Sequence, residues 1–328
     1  MITNNIYEIT KADAANLSAE AVRTLYSLDD FMAEKYGFLK RYRNVEEYKR
    51  SLSNVMFIVS NNSLPCGILN FIQSADWSGK EQYQLTICLS ESVIELALIE
   101  CLCQFINEKL EQHGQIAMVV FNDELAELLE KYSCKVQLKA GAYTLNKADI
   151  DANVLTESIA EYQARNNDLR MVYTNVISEE HIQQYCDLFN ELQEDMPDVK
   201  EEGFVQYVIT PEKQKRLNET MASRNNAHHC FMIFNTNGVM VAKTNVSVNN
   251  NDPRFPYQFM IGVKKQYRGR GIGKWLYAAM YKKLLEDVNF EKVLVRHHPE
   301  NKHAISISEW VGYKLNYFET IYVVDIKV

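Results

Sequence analysis

The segment YRGRGIGKW, residues 267–275, places three glycines at alternate positions among two arginines and a lysine. The strand-like segment FMIGV precedes it, and an apolar helical pattern follows it. Glycines allow backbone amides to approach a ligand closely, and the N-terminus of a helix carries a partial positive charge. These features are typical of a turn that binds phosphate, and the side chains of Arg268, Arg270 and Lys274 fit the same use.

Two common phosphate-binding motifs do not fit this turn. A Walker loop needs a serine or threonine after its lysine, whereas Lys274 is followed by Trp275. A dinucleotide fingerprint needs GxGxxG in a parallel βαβ unit, whereas the spacing here is GxGxG. The pattern that remains is Arg-x-x-Gly-x-Gly, formed by Arg268, Gly271 and Gly273.

This pattern resembles the pyrophosphate loop of the GCN5-related N-acetyltransferases (GNATs), which holds coenzyme A. A second segment, NKHAISISEWVGY, has Asn301 and Ala304 in the spacing of that family's Asn-x-x-Ala helix motif, followed by Gly312 and Tyr313 where the family has Gly-Phe. The element order predicted from about residue 170, β-α-β-β-β-α-β-α-β-β, is also that of the family. The resemblance covers residues 170–328 through these motifs and the first half only through the order of its elements.

The first half repeats this element order more faintly. Tyr83 and Tyr257 are separated by 257 − 83 = 174 residues, and at that offset YQLTI aligns with YQFMI and Phe57 with Phe231. Because residue identities and element order both agree between the halves, the sequence predicts an internal duplication.

The predicted fold class is therefore α+β, with two tandem GNAT lobes that are each a mixed, mostly antiparallel sheet flanked by helices. We expect a degenerate lobe over residues 1–150, a linker over residues 151–168 and a coenzyme-binding domain over residues 169–328. A length of 328 residues is consistent with two domains.

The glycine turn is missing from the first half. At the repeat offset, Ile94, Ala97 and Ile99 stand where the second half has the turn's arginine and two of its glycines. We therefore expect one coenzyme per chain, held by the second half.

The resemblance implies acetyl-CoA as the cosubstrate. In the family, the strand before the loop separates from its neighbour, and its backbone holds the pantetheine arm and faces the acetyl oxygen. Here those backbone groups would belong to Ile261 and Val263, and Asn301 would contact the coenzyme beside the following strand. The predicted coenzyme-binding residues are Ile261, Val263, Arg268, Gly269, Arg270, Gly271, Ile272, Gly273, Lys274 and Asn301.

Proton transfer is the step at which this sequence departs from the family. GNATs often carry a tyrosine seven residues after the motif asparagine as general acid, and this position holds Ser308. An aliphatic hydroxyl is a far weaker acid than a phenol, although a thiolate, whose thiol has a pKa of about 8.5, can leave with the help of water. His297, at the end of the strand-like segment VLVRH, is the alternative candidate for proton transfer. A purely structural hydrogen bond is the other interpretation of this histidine.

The acceptor is not specified by a motif. The segment NELQEDMPDVKEEGF either attracts a cationic amine or forms a solvated surface. Its acidic residues are Glu191, Glu194, Asp195, Asp198, Glu201 and Glu202.

The composition argues against several other classes of protein. The chain has 35 Lys and Arg against 43 Asp and Glu, and this net charge of −8 lacks the broad positive field of nucleic-acid or anionic-membrane binders. We find no leader-like start and no apolar run that spans a membrane, and so expect a cytoplasmic protein without a membrane partner. Seven cysteines without a metal-ligand spacing predict free thiols and no metal site. The oligomeric state stays open.

The sequence thus predicts an N-acetyltransferase that transfers acetyl to a primary amine of a small molecule or peptide, directly and in a ternary complex. The alternative is a catalytically weak sensor of acyl-CoA, which the serine at position 308 favours. Aminoacyl-tRNA-dependent ligases share the tandem fold, but they lack a coenzyme A loop and fit the sequence less well.

Overall fold

The computed structural model describes residues 6–11, 19–35, 45, 56–75, 81–89, 95–120, 125–197 and 208–326. The chain divides into two compact units. Unit 1 consists of Met1–Lys139 together with Tyr317–Val328, and unit 2 consists of Ala140–Asn316. The observed division differs from the predicted one, because the residues from 140 onwards already belong to unit 2 and the last twelve residues belong to unit 1.

Unit 1 is a mostly antiparallel sheet with helices. Its described strands follow the order β1-β2-β3-β4-β5-β12, and only β4 and β5 run parallel. The strands are β1 (Tyr7–Lys11), β2 (Met56–Asn61), β3 (Leu64–Ala75), β4 (Glu81–Leu89), β5 (Ile116–Val120) and the greater part of β12 (Lys314–Ile326). The helices are α1 (Ala19–Lys35), α2 (Leu96–His113) and α3 (Ala126–Leu129).

Unit 2 has the same kind of sheet, in the order β6-β11-β10-β9-β8-β7. Only β10 and β11 run parallel among its described strand pairs. The strands are the end of β6 (Tyr132–Asn146), β7 (Leu169–Thr174), β8 (Asn226–Asn235), β9 (Met240–Asn249), β10 (Tyr257–Val263) and β11 (Lys292–His297). The helices are α4 (Ala152–Arg165), α5 (Glu179–Gln193), α6 (Pro211–Ser223), α7 (Ile272–Asp287) and α8 (Lys302–Val311).

The sheet of unit 2 is covered by helices on both faces. On one face, Tyr281 of α7 lies in a buried cluster with Val246 of β9 and Val293 of β11. On the other face, Tyr185 of α5 lies in a cluster with Met232 of β8. Successive residues of a strand point to opposite faces, so alternating apolar residues supply both cores. The sheet and α7 are thereby held in a fixed relation, and the turn that joins them is fixed at both ends.

Three predictions about elements were wrong. The expected linker, residues 151–168, contains helix α4, which belongs to unit 2. The end of the chain, predicted as two closing strands, forms the single strand β12. A helix, α6, was not predicted between α5 and β8. The sequence also predicts a helical stretch to about residue 52 in the first half, and its part beyond Lys35 lies outside the described residues except for residue 45.

Matching elements of the two halves end at a constant spacing. The two ends differ by 174 residues for β2 and β8 (61 and 235), for β3 and β9 (75 and 249), and for α2 and α7 (113 and 287). This regularity supports the predicted duplication. Within the described parts of the chain, no helix is long and apolar enough to cross a membrane.

Candidate functional site

The glycine turn forms the start of helix α7. Gly271 is the residue before the helix and has a φ of +79°, in the left-handed region that favours glycine. The first hydrogen bond of the helix runs from the amide of Trp275 to the carbonyl of Gly271, at 3.0 Å. No described residue accepts a hydrogen bond from the amides of Ile272, Gly273 and Lys274. Three donors at the positive end of a helix are therefore available to an anion.

The two arginines of the turn are paired with carboxylates of the chain. Arg268 donates from Nε to the carbonyl of Val263 at 2.9 Å, and its guanidinium lies 2.6 Å from Asp195 Oδ2. Arg270 forms an ion pair with Asp168. These hydrogen bonds hold the pKa of both aspartates below its usual value. The backbone amides, more than the arginine side chains, are thus the free donors of the turn.

Lys274 is less constrained, because its contact is with an aromatic ring. Its Nζ lies 5.1 Å from the centre of the Trp310 ring. This distance is within the range of a cation–π interaction, and Lys274 has no ion pair among the described residues that would keep it from contacting an anion.

The strands before and after the turn separate from each other. Parallel pairing of β10 with β11 is limited to Tyr257 and Leu294, and β11 pairs along its whole length with β6 on its other side. A register shift between Gln258 and Ile261 also bends β10 away from a regular ladder. The backbone of β10 after this bulge therefore has no strand partner on the β11 side among the described residues.

The alternating hydrogen bonds between β10 and β9 show which backbone groups of β10 face the opening between β10 and β11. The amide of Lys264 donates to the carbonyl of Val241 at 2.8 Å, so every second residue of β10 bonds towards β9. Ile261 and Val263 fall on the other positions, and their backbone groups point away from β9. The structure thus brings these two predicted residues to the opening, although the Val263 carbonyl is already used by Arg268.

A buried glutamine holds the bulge in place. Gln258 is 1% exposed and donates from Nε2 to Thr244 Oγ1 and to the carbonyl of Asn245, both at 3.0 Å. Its Oε1 accepts from the hydroxyl of Tyr281, which is 2.7 Å from the hydroxyl of Tyr313. Sequence reasoning missed these residues, because their partners lie on different elements.

The two predicted proton-transfer residues contact each other inside unit 2. His297 Nε2 lies 2.7 Å from Ser308 Oγ, which lies 3.4 Å from the hydroxyl of Tyr277. His297 is 7% exposed and Ser308 is fully buried. Burial lowers the pKa of His297 to about 4, so the imidazole is neutral at pH 7. The pair is therefore a hydrogen-bonded neutral dyad in the interior.

Asn301 begins helix α8. Its Oδ1 accepts from the amide of Ala304 at 3.3 Å, which explains the spacing of the Asn-x-x-Ala motif as a helix cap. No acceptor for its Nδ2 group lies among the described residues, so this group is available as a donor.

Part of the acidic segment is used within the chain. Glu191 pairs with Lys264 at 2.7 Å, and Asp195 pairs with Arg268. These two carboxylates support the turn and the end of β10 and are not free for a cationic acceptor. The residues at positions 198, 201 and 202 lie outside the described residues.

A lysine is fully buried on the α5 side of the sheet. Lys243 Nζ has no hydrogen-bond partner among the described residues and lies 4.0 Å from the centre of the Tyr185 ring and 4.8 Å from that of Phe189. Burial lowers the pKa of this lysine to about 8. The aromatic rings take the place of a counter-ion.

The described residues of unit 1 differ from unit 2 in their strand pairing and at the start of the matching helix. β4 and β5 pair over four consecutive residues, from Tyr83 with Ile116 to Thr86 with Val119, and β3 pairs with β4 without a register shift. Helix α2 is preceded by Glu95, whose negative charge opposes binding of an anion there. Ala97 and Ile99 lie in the first turns of α2, and position 94 is outside the described residues.

The comparisons with known proteins agree with this geometry. Residues 185–313 match the family model described as "Acetyltransferase (GNAT) family". A solved structure described as "Tandem GNAT protein from the clavulanic acid biosynthesis pathway" is similar over 98% of this chain and 99% of that chain, with a TM-score of 0.62 and 13% identity. The GCN5-related N-acetyltransferase from Sphaerobacter thermophilus gives a TM-score of 0.63 at 11% identity, over 98% and 96% of the two chains. Comparison with curated proteins gave no match.

Residues 185–313 thus match the model of the GNAT family. The fold of the whole chain is that of tandem GNAT proteins. These findings confirm the predicted fold class, and the family match falls on the half of the chain for which the sequence predicts it. At such low identity the similarity of the first half concerns the fold alone.

Proposed function

We propose that unit 2 binds acetyl-CoA and transfers its acetyl group to a primary amine of a small molecule or peptide. The observation that carries this proposal is the set of partnerless amides at the start of α7, next to the opening between β10 and β11. A pyrophosphate fits the first feature, because it is anionic and compact, and an extended pantetheine arm fits the second.

The chain's own residues fit this coenzyme. The amides of the turn would bind the pyrophosphate, with Lys274 adding charge. The outward-facing backbone of Ile261 and the amide of Val263 would orient the arm. Acetyl-CoA would supply an activated acetyl thioester, and direct transfer requires the acceptor amine in the same complex.

His297 and Ser308 are the proposed groups for proton transfer. A neutral imidazole can accept a proton, and its contact with Ser308 gives it a fixed orientation. Their burial and the low pKa of His297 also support the second candidate function, a sensor that binds acyl-CoA but transfers its acyl group slowly.

The proposal is tested by release of free thiol from acetyl-CoA in the presence of a panel of amines, polyamines, aminoglycosides and peptides. Titration of the protein with acetyl-CoA by calorimetry runs alongside. Binding together with amine-dependent thiol release supports the enzyme, and binding without release across the panel supports the sensor. If acetyl-CoA does not bind, both the enzyme and the sensor functions are wrong.

A further inference from the structure

We infer that three residues outside the predicted coenzyme domain, Tyr162, Asn166 and Asp168, position the glycine turn for binding of coenzyme A. They lie at the end of helix α4 and just after it, in the segment that the sequence predicts as a linker. The inference rests on the proposed function, since it concerns the same site. These are positioning residues, because they act on the turn and not on the reacting atoms.

Asn166 connects the end of α4 to the turn. It is fully buried, and its Nδ2 donates to the carbonyl of Tyr162 at 2.7 Å and to the carbonyl of Arg270 at 3.2 Å. Its Oδ1 accepts from Arg270 Nε at 2.9 Å. One amide side chain therefore holds both the backbone and the side chain of the residue that precedes Gly271.

Two neighbours of Asn166 support the turn from the same side. Asp168 forms an ion pair with Nη2 of Arg270, beside the Nε atom that donates to Asn166. The ring of Tyr162 packs on Gly271 so closely that a Cβ at this position would overlap it. Arg270 and Gly271 are thus held through hydrogen bonds, charge and packing.

This support matters because the turn has little to hold it by itself. Gly269 and Gly271 both have φ values near +80°, and glycine loses more conformational entropy on ordering than any other residue. Gly271 has no side chain with which to cap the helix. The hydrogen bonds from the end of α4 order the backbone amides of the turn before the ligand binds. The entropic cost of ordering them therefore does not reduce the affinity for the ligand.

The consequence is a specific pattern of defects. Without Asn166 the start of α7 should open more often in the free protein, so the amide of Trp275, which bonds to the Gly271 carbonyl, should exchange faster with solvent, and coenzyme A should bind more weakly. Once the substrates are bound, the acceptor amine and the acetyl group contact the same residues in the variant as in the wild type. KM for acetyl-CoA should therefore rise while kcat at saturation changes little.

The test compares Asn166→Ala and Asp168→Asn with Glu157→Ala, a matched control at an exposed position of the same helix. Hydrogen exchange of the Trp275 amide is measured without ligand, and coenzyme A is titrated by calorimetry. We expect faster exchange and a Kd raised about tenfold or more for Asn166→Ala, about threefold for Asp168→Asn, and wild-type values for the control.

The outcomes separate this inference from the proposed function. If wild type fails to bind coenzyme A, the proposed function is wrong, and the exchange data still decide whether the turn is held by α4. If wild type binds and both variants keep its Kd and exchange rates, the inference is wrong. Should Asn166→Ala lower the melting temperature too far for titration, Asp168→Asn decides, because its side chain is 47% exposed and the fold does not depend on its burial.

Discussion

Burial of His297 and Ser308 limits the role that each can have in proton transfer. Both were selected from spacing, and the structure brings their side chains to 2.7 Å. Their proximity could not be predicted, since one ends a strand and the other lies in a helix eleven positions later. The low pKa of His297 means that it holds no extra proton to donate at neutral pH.

We predict that His297→Ala lowers kcat with little effect on KM for acetyl-CoA. Ser308→Ala should change either constant by less than about tenfold, because an aliphatic hydroxyl is an ineffective acid. Steady-state kinetics of both variants provide the check. A large loss for Ser308→Ala with none for His297→Ala would reverse the two roles.

Two buried histidines should make unit 2 sensitive to acid. Burial lowers the pKa of His228 and of His297 to about 4, from an ordinary value of 6.5. Between pH 6.5 and pH 4 the unfolded chain binds protons at these positions and the folded chain does not. The free energy of unfolding therefore falls as the pH is lowered through this window, by about 3 kcal/mol for each histidine.

Urea unfolding of wild type and of His228→Gln at pH 7 and pH 5 measures this effect. The variant should lose less stability than wild type between the two values. His303→Gln, at an exposed position of α8, is the control and should behave as wild type. Equal losses for all three proteins would contradict the prediction.

Lys243 is predicted to reduce the stability of the fold. A buried ammonium without a hydrogen-bonding partner among the described residues costs desolvation energy that the rings of Tyr185 and Phe189 offset only in part. Because its pKa is lowered from 10.5 to about 8, the cost is full below pH 8 and declines between pH 8 and pH 10.5, where the unfolded chain binds a proton that the folded chain does not. Lys243→Met should raise the free energy of unfolding at pH 7 by about 1 kcal/mol or more, as measured in urea. A loss of stability would show that the ammonium group is needed.

At the scale of elements, local sequence signals were sufficient to predict the glycine turn, but they did not predict helix α4, which supports the turn. The turn's glycines and the apolar pattern after it are adjacent in sequence, so strand, turn and helix could all be predicted. Helix α4 was missed because its apolar face is short: Leu155 is buried, Ile159 and Tyr162 are partly buried at i+4 and i+7, and most of its other residues are polar. Its start was signalled by Asp151, whose side chain accepts from the amides of Asn153 and Val154.

Helix α6 was missed for a related reason. Thr210 caps it and Pro211 begins it, which are both recognised start signals. Gln214 is its one fully buried residue, so the segment has the character of a surface loop. The bulge in β10 could not be predicted, since it depends on the contact of Gln258 with Thr244 and Asn245 on another strand.

The packing of α4 on the turn predicts a coupling between Gly271 and Tyr162. Gly271→Ala should weaken acetyl-CoA binding for two reasons, the strain of a positive φ and overlap with the Tyr162 ring. In a Tyr162→Ala background the second reason disappears, so the added effect of Gly271→Ala should be smaller by about 1 kcal/mol or more. Calorimetric titration of the single and double variants gives this coupling energy.

Gly269→Ala is the matched control for strain alone. Gly269 has nearly the same φ, +78°, and no atom lies within 4 Å of where its Cβ would be. It should show no coupling to Tyr162→Ala. Additive effects of Gly271→Ala and Tyr162→Ala would contradict the close packing described for the pair.

At the scale of the whole molecule, we predict one acetyl-CoA per chain. Unit 1 places Glu95 before the helix that corresponds to α7, and it has Ala97 and Ile99 where the turn of unit 2 has Gly271 and Gly273. Both differences remove space and positive charge from the first half. Titration of a known concentration of protein should therefore give a stoichiometry near one. A value near two would mean that unit 1 binds the coenzyme by a different geometry.

The way the chain is shared between the units has a consequence for synthesis on the ribosome. Unit 2 is a continuous stretch, Ala140–Asn316, whereas the sheet of unit 1 is completed by Tyr317–Val328. Translation therefore makes most of unit 1 before unit 2, but it makes the strand that pairs with β5 after unit 2. Until then the edge of β5 has unpaired backbone groups that can join another nascent chain, a known risk for incomplete sheets. The unit that is started first can thus be finished only after the other has been synthesised.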